Sequence, residues 1–173
     1  MRDQAGPTTA DVPVVVEGFE TFFRREYASI VALATALAGD RHSAEDVAQE
    51  AFLRAQQRWE KVAAFDKPGA WVRRVAINLA HNGRDRRRSE ASAMVRLARR
   101  PALMPAEPDV EEFWSVVRTL PRQQAAAVAL HYLEDRSVAE VAAAMGCAEG
   151  TAKVHLSRGR AALARRLEEE LAP

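Results

Sequence analysis

The chain has 173 residues, of which 48% are hydrophobic and 28% charged, with a formal net charge of +1 and one cysteine. That length suits one domain or two small ones. No apolar run is long enough to span a bilayer, and a lone Cys147 excludes an internal disulfide and fits a reducing compartment.

Residues 1–16, with Pro7, Thr8, Thr9 and Pro13, read as a flexible tail. They lack the basic-then-apolar pattern of a signal peptide, so a cytoplasmic protein without membrane insertion is expected. Phe19, Phe22, Phe23, Tyr27, Ile30, Val31, Ala34 and Leu37 then recur at helical spacing. GDRHSAED ends that helix at Gly39 and starts another, with Ser43 as the expected N-cap and Asp46 in a capping-box position. The second helix carries Val47, Ala51, Phe52 and Ala55 and is expected to run to about Trp59. Pro68 and Gly69 mark a break. A third long helix follows, with Trp71, Val72, Val75, Ala76, Leu79 and Ala80 on its apolar side.

Charge is segregated along these elements. Arg73, Arg74, Arg84, Arg86, Arg87, Arg88, Arg96, Arg99 and Arg100 face only Asp85 and Glu90 in opposition. The stretch from Ala44 to Glu50 carries Glu45, Asp46 and Glu50 without a cation. The basic block points to a polyanion, and the acidic helix to a second, different partner. For any one run the plain alternative is a solvated surface.

Pro101, Pro105 and Pro108 cannot share one regular helix, so 91–109 read as a linker. Helices resume over 110–118 and again from Pro121, which suits a first helical turn. Ser137 and Glu140 make a capping box before a short helix, Val138 to Met145, which stops at Gly146. After a short turn comes EGTAKVHLSRGRAALARRL. At about 100° per residue, Ala152, Leu156, Gly159 and Leu163 share an arc of roughly 60°. Lys153, Val154, Ser157, Arg158 and Ala161 fill the other side. Helix, glycine-containing turn, helix is the spacing of a DNA-binding helix-turn-helix. A face mixing cations, a hydroxyl and small apolar groups suits phosphates, guanine edges and thymine methyls. The stripe is expected to rest on Val138, Val141 and Ala142.

The order of three segments, GDRHSAEDVAQEAFLRA, AWVRRVAINLAHNGRDRRR and LPRQQAAAVALHYLEDRSVAEVAAAMGCAEGTAKVHLSRGRAAL, resembles the bacterial RNA polymerase sigma factors of the extracytoplasmic-function (ECF) sub-class. The resemblance covers about Gly18 to Leu167. It implies an all-α fold of two small helical domains joined by a flexible linker, over 17–90 and 110–173, the second a four-helix domain with a helix-turn-helix. It implies core RNA polymerase and promoter DNA as partners, commonly with an anti-sigma factor, and no cofactor, metal or catalytic site.

By that resemblance, Asp46, Gln49 and Glu50, with Phe52, Leu53 and Gln56 nearby, would dock on polymerase. The following helix would melt the promoter and read its minus-ten element. Arg73, Arg74, Arg84 and Arg86 supply charge there, and Asn78 matches a position that reads an extruded base. Phe65 and Trp71 are the aromatic candidates, Phe65 the better placed for stacking because Trp71 shares the apolar stripe. Gly150, Thr151, Lys153, Val154, Ser157 and Arg158 align with minus-thirty-five contacts, while His155 and Arg160 suit phosphates. Cys147 stands where a small capping hydroxyl is common, which predicts a weak cap. A lone thiol without flanking cations reads as a small buried residue rather than a redox sensor.

Two other functions compete with this one. A helix-turn-helix regulator acting without polymerase leaves the acidic and basic helices unexplained. An enzyme is disfavoured because His42, His81, His131 and His155 are scattered and no phosphate-cradling glycine loop exists.

Overall fold

The computed structural model describes residues 17–93 and 108–170. Among them the chain forms eight helices and no strand: α1 Phe19–Ala38, α2 Arg41–Gln56, α3 Trp59–Ala63, α4 Pro68–Ala93, α5 Pro108–Val117, α6 Arg122–Tyr132, α7 Val138–Met145 and α8 Glu149–Glu170. The tail expected over 1–16, and Arg96, Arg99 and Arg100, lie outside the described residues. The expected linker gives way to α4 as far as Ala93 and to α5 from Pro108.

α1, α2 and α4 form the first helical unit. Gly39 ends α1 in the left-handed region at φ 90°, with its N–H on the Thr35 carbonyl. Asp40 begins α2 at once, its carboxylate accepting from the Ser43 N–H at 2.8 Å. Asp40, not Ser43, is therefore the N-cap. The turn is so short that the first carboxylate after the glycine already reaches the free amides. α2 ends at Gln56, earlier than expected. The chain reverses at Arg58, and Trp59 enters a separate short helix with its ring 4.9 Å from Phe22 and 5.3 Å from Phe19.

Phe22, Ile30, Ala48, Ala51, Phe52, Ala55, Val72 and Ala76 make this unit's core. Phe52 is 2% exposed and meets Phe23 edge-on at 4.9 Å. Burial of a side chain of that size contributes about 1.5–3 kcal/mol. Phe52 is thus a correction to the expected polymerase contacts. It holds α2 against α1 and cannot itself touch a partner.

α5 to α8 form the second unit. Ser137 and Glu140 close the reciprocal capping box of α7, and Gly146 ends it at φ 70°. The Cys147 N–H reaches back to the Ala142 carbonyl at 3.1 Å, completing the reversal. α8 starts at Glu149, so Ala148, not Cys147, stands at its N-cap position. Its carbonyl accepts from Ala152 at 3.0 Å, and its methyl side chain offers no oxygen. Cys147 is half-buried against the core.

The stripe Ala152, Leu156, Gly159 and Leu163 is buried. α7 is not its only support. A Cβ on Gly159 would lie 2.8 Å from Val128 Cγ2, so the glycine lets α8 close on α6.

The two units share one apolar seam. Leu33, Leu37, Ile77 and Ala80 of the first belong to the same buried cluster as Val117, Leu120, Val128, Val141 and Leu156 of the second. Polar contacts reinforce it. Arg118 on the α5–α6 turn donates to the Ala36 carbonyl at 3.3 Å, and Arg122 pairs with Asp85.

Candidate nucleic-acid and polymerase interfaces

α8 presents one uncovered face. Gly150, Thr151, Lys153, Val154, Ser157, Arg158 and Arg160 are exposed, and His155 is half-buried at the edge. Val154 is 45% exposed although it is apolar. Directly opposite lies the buried stripe, so helix-helix contact fixes the rotation of α8 and with it the direction of every polar side chain on the face. Cations beside an exposed methyl-bearing residue match the chemistry of a major-groove floor.

α4 is different. Its residues divide between an inward arc of Val72, Arg73, Ala76, Ile77, Ala80 and His81, all buried, and an outward arc holding Arg74, Asn78 and Asn82, all exposed. The structure therefore separates the two neighbouring arginines assigned to DNA. Arg73 is 3% exposed. It donates to Glu134 at 2.6 Å, Glu26 at 2.8 Å, Ser29 Oγ at 3.0 Å and the Gly69 carbonyl at 3.2 Å. In this arrangement Arg73 cannot touch a phosphate, which corrects its expected place on the DNA surface. Arg74 is exposed but donates to the Ala143 carbonyl of α7 at 2.8 Å.

Trp71 is half-buried against the first core, and Phe65 sits in the α3–α4 loop, 37% exposed. Arg84 is half-buried and Arg86 exposed. Arg87, another member of the basic block, serves the fold: it binds the Ala38 carbonyl at 3.2 Å and Asp40 at 3.3 Å, tying α4 to the α1–α2 turn.

Three titratable groups on or beside α4 have shifted pKa values. Burial pushes His81 down to about 4, helped by the Arg122 and Arg84 charges. Burial would raise the Glu26 carboxyl, but hydrogen bonds from Arg73 and Arg25 hold it below its usual value. Burial opposes the Arg73 charge, yet Glu134 and Glu26 keep its pKa above the usual value.

On α2, Asp46, Gln49, Leu53 and Gln56 are exposed along one line, Leu53 to 50%. Glu50 is half-buried beside it and pairs with Arg54 at 2.7 Å. A half-exposed apolar leucine thus sits among carboxylates and amides on this face.

Sequence reasoning missed three residues that matter. Asn82 follows Asn78 by one turn on the same arc, a signal available from spacing. Ser29 and Glu134 enclose Arg73, and nothing local marks either of them. Among the described residues no cluster of three His, Cys, Asp or Glu side chains is placed to hold a metal, and no helix is long and apolar enough to cross a membrane.

The Sigma-70 region 2 family matches residues 22–90, and the Sigma-70 region 4 family matches residues 111–163. The chain is 31% identical over 152 residues to the ECF RNA polymerase sigma factor SigM of Mycobacterium tuberculosis, covering 86% of this chain and 76% of that protein. It is also 31% identical over 147 residues to the probable RNA polymerase sigma factor RfaY of Xanthomonas campestris, covering 77% of this chain but only 36% of that longer protein. In fold it is similar to the sigma factor RpoE of Bartonella quintana, solved with the anti-sigma factor NepR. That likeness has a TM-score of 0.71 at 24% identity and covers 87% of this chain and 96% of the other.

Proposed function

The chain belongs to the ECF RNA polymerase sigma factors, and we propose that its α8 reads the minus-thirty-five element, its α4 reads and opens the minus-ten element, and its α2 docks on polymerase. As a member it binds core RNA polymerase and directs it to promoters for transcription initiation. It is a transcription initiation factor, and this reading gives it no chemistry, metal or cofactor of its own. Its place of work is where polymerase is, the cytoplasm.

The observation that carries the reading is the two-sidedness of α8. Lys153, Val154, Ser157 and Arg158 are uncovered while Ala152, Leu156, Gly159 and Leu163 are buried. On α4, Asn78 is the exposed amide suited to a base edge, with Phe65 in the preceding loop as the stacking surface. An anti-sigma factor is a further partner. The apolar groove of about 540 Å³ lined by Tyr27, Val31, Trp114 and Leu133 runs across both units and offers it a helix-sized seat.

The test is transcription in vitro with core polymerase. Asn78→Ala holoenzyme is expected to bind promoter but open it poorly, read by permanganate footprinting, with folding intact. Normal opening together with unchanged base preference at the minus-ten element overturns the role of Asn78. Asp46→Ala combined with Glu50→Ala is expected to weaken core binding without loss of helicity, and unchanged affinity overturns the α2 assignment.

A further inference from the structure

α8 does not end where its packing ends. Leu163 is its last buried side chain among the described residues, yet the helix runs on to Glu170. Ala164, Arg165, Arg166 and Glu168 are all exposed. The Sigma-70 region 4 match also stops at residue 163. Ala, Leu, Arg and Glu are good helix formers, so composition alone sustains the extension. Its order of charges does not help. Glutamates at a helix C-terminus oppose the macrodipole, and a cation placed before its carboxylate partner is the weaker order on a helix. Helix stability therefore gives no reason for two arginines followed by glutamates.

The bearing of each side chain supplies one. Ala152, Leu156, Gly159 and Leu163 are buried on one side. At about 100° per residue, Val154, Ala161, Arg165 and Glu168 lie within roughly 30° of the opposite direction, and Ser157 and Arg158 within about 50°. Arg166 points roughly 130° away from it. Arg165 thus continues the face assigned to the groove two turns beyond Arg158, and Glu168 continues it one turn further. Among the described residues no hydrogen bond or ion pair occupies Arg158 or Arg165, whereas Arg73 of α4 is held by Glu26 and Glu134.

A major groove is about 12 Å wide. Along the α8 axis Arg158 lies about 6 Å from Val154, inside that width, and Arg165 about 16 Å from it, outside. Recognition helices seat their amino-terminal turns among base edges. That seating carries Arg165 to the sugar-phosphate strand bordering the groove. We propose that Arg165 clamps a backbone phosphate at the groove edge, and that Glu168, about 4.5 Å further along the same line, limits the contact by repelling the next phosphate. This role rests on α8 being the minus-thirty-five helix. Arg158 and Arg165 then do different work on one face. Arg158 reads within the groove, while Arg165 fixes the tilt of the helix and carries no sequence information. Packing on α6 and α7 sets the rotation of α8, and the clamp sets how far it lies along the groove.

The test uses the full chain with Arg165→Ala, Arg165→Lys, Arg166→Ala, Glu168→Gln and Arg158→Ala, each checked for helicity. Anisotropy reads binding to duplexes bearing a minus-thirty-five element found by transcription in vitro, and to scrambled duplexes, over a range of salt. Arg165→Ala should weaken both about eightfold at 0.1 M salt and lower the slope of log K against log salt by about 0.9, the counterion-release values for one phosphate. Arg165→Lys should recover most of that loss. Arg166→Ala removes the same charge on another bearing and should cost clearly less. Glu168→Gln should tighten both duplexes, most at low salt. Phosphate ethylation interference should lose one position with Arg165→Ala. An unchanged slope, or equal losses from Arg165→Ala and Arg166→Ala, overturns the clamp. A loss confined to the matched duplex makes Arg165 a base reader and overturns the phosphate assignment. Unchanged or weaker binding by Glu168→Gln overturns its limiting role. Arg158→Ala separates this proposal from the reading beneath it. If Arg158→Ala weakens the matched duplex while Arg165→Ala is silent, the clamp fails and α8 still reads. If neither weakens either duplex, the minus-thirty-five assignment of α8 fails and the clamp with it.

Discussion

α4 and α8 are both cation-bearing helices assigned to DNA, yet the fold treats them in opposite ways. α8 spends its apolar stripe on α6 and α7 and leaves Lys153, Ser157 and Arg158 facing outward. α4 is covered from two sides, by α1 and α2 of its own unit and by α7 of the other, so some of its cations have become structural. Arg73 lies inside an ion cluster, Arg87 ties down a turn, and Arg74 is shared with α7. An arginine count in sequence therefore overstates the cations that α4 leaves exposed and describes those of α8 well. Net charge predicts that a polyanion will be bound, but tertiary contact decides how many charges are available to it.

The largest effect that would sharpen this contrast is on pH. His81 lies on the buried arc of α4, with Arg84 on its own helix and Arg122 of α6 facing it, Arg122 being paired with Asp85. Its folded pKa of about 4 lies below the unfolded value, so the unfolded chain binds more protons between them and stability falls as pH drops from about 6.5 toward 4. The loss should reach roughly 2 kcal/mol by pH 5. Glu26, held low by Arg73, adds to the loss once pH falls below its unfolded value. Thermal melts across pH 7.5–5 check this, and His81→Leu should flatten the slope. The same slope in that variant would place the acid sensitivity elsewhere.

Next in size is α8 itself. Lys153→Ala and Arg158→Ala should each weaken minus-thirty-five binding by about 1–3 kcal/mol if they contact bases, and equally on scrambled duplex if they touch only phosphate. Equilibrium binding on matched and scrambled duplexes separates the two. No loss on either would remove α8 from the comparison.

A smaller effect tests how the α8 face is aimed. Gly159→Ala gains about 1 kcal/mol of helix propensity, but its Cβ would press on Val128 at 2.8 Å, and overpacking costs about 1–3 kcal/mol. The net expectation is a loss near 1 kcal/mol in urea unfolding, with weaker duplex binding because α8 is pushed off α6. A stabilised variant would show that α6 yields more easily than the close approach implies.

The smallest effect is the sharpest test of masking. Arg74 must give up the Ala143 carbonyl before it can reach DNA, so in the full chain Arg74→Ala loses a proposed DNA contact and also a hydrogen bond between α4 and α7 that competes with it. The two partly cancel, and oligonucleotide affinity should change by less than about 1 kcal/mol, well below the cost of Arg158→Ala on its duplex. Equal losses would mean that α4 is as open as α8.

The sequence by itself determined whatever depends on neighbours within a turn or two. Period 3.6 marked the helices and gave the buried stripe of α8 residue by residue. Ser137, Glu140 and Gly146 announced the ends of α7, and the order of the segments identified the family. Even locally there were slips of a few residues. Asp40 displaced Ser43 as a cap because its carboxylate lay within reach of the same free amides, and Ala148 took the position expected for Cys147 because α8 begins one residue later, with the Ala148 carbonyl accepting its first bonds. What only tertiary structure decided is which of several like residues faces solvent. Phe52 and Leu53 are adjacent, yet one is core and the other is half exposed. Arg73 and Arg74 are adjacent, yet one is sealed among Glu26, Ser29 and Glu134 and the other is not. Those partners lie 47, 44 and 61 residues away in the chain. Side-chain periodicity can say that neighbouring residues point in different directions, but not what waits for each of them. That depends on which distant carboxylate can offset the cost of burying a charge.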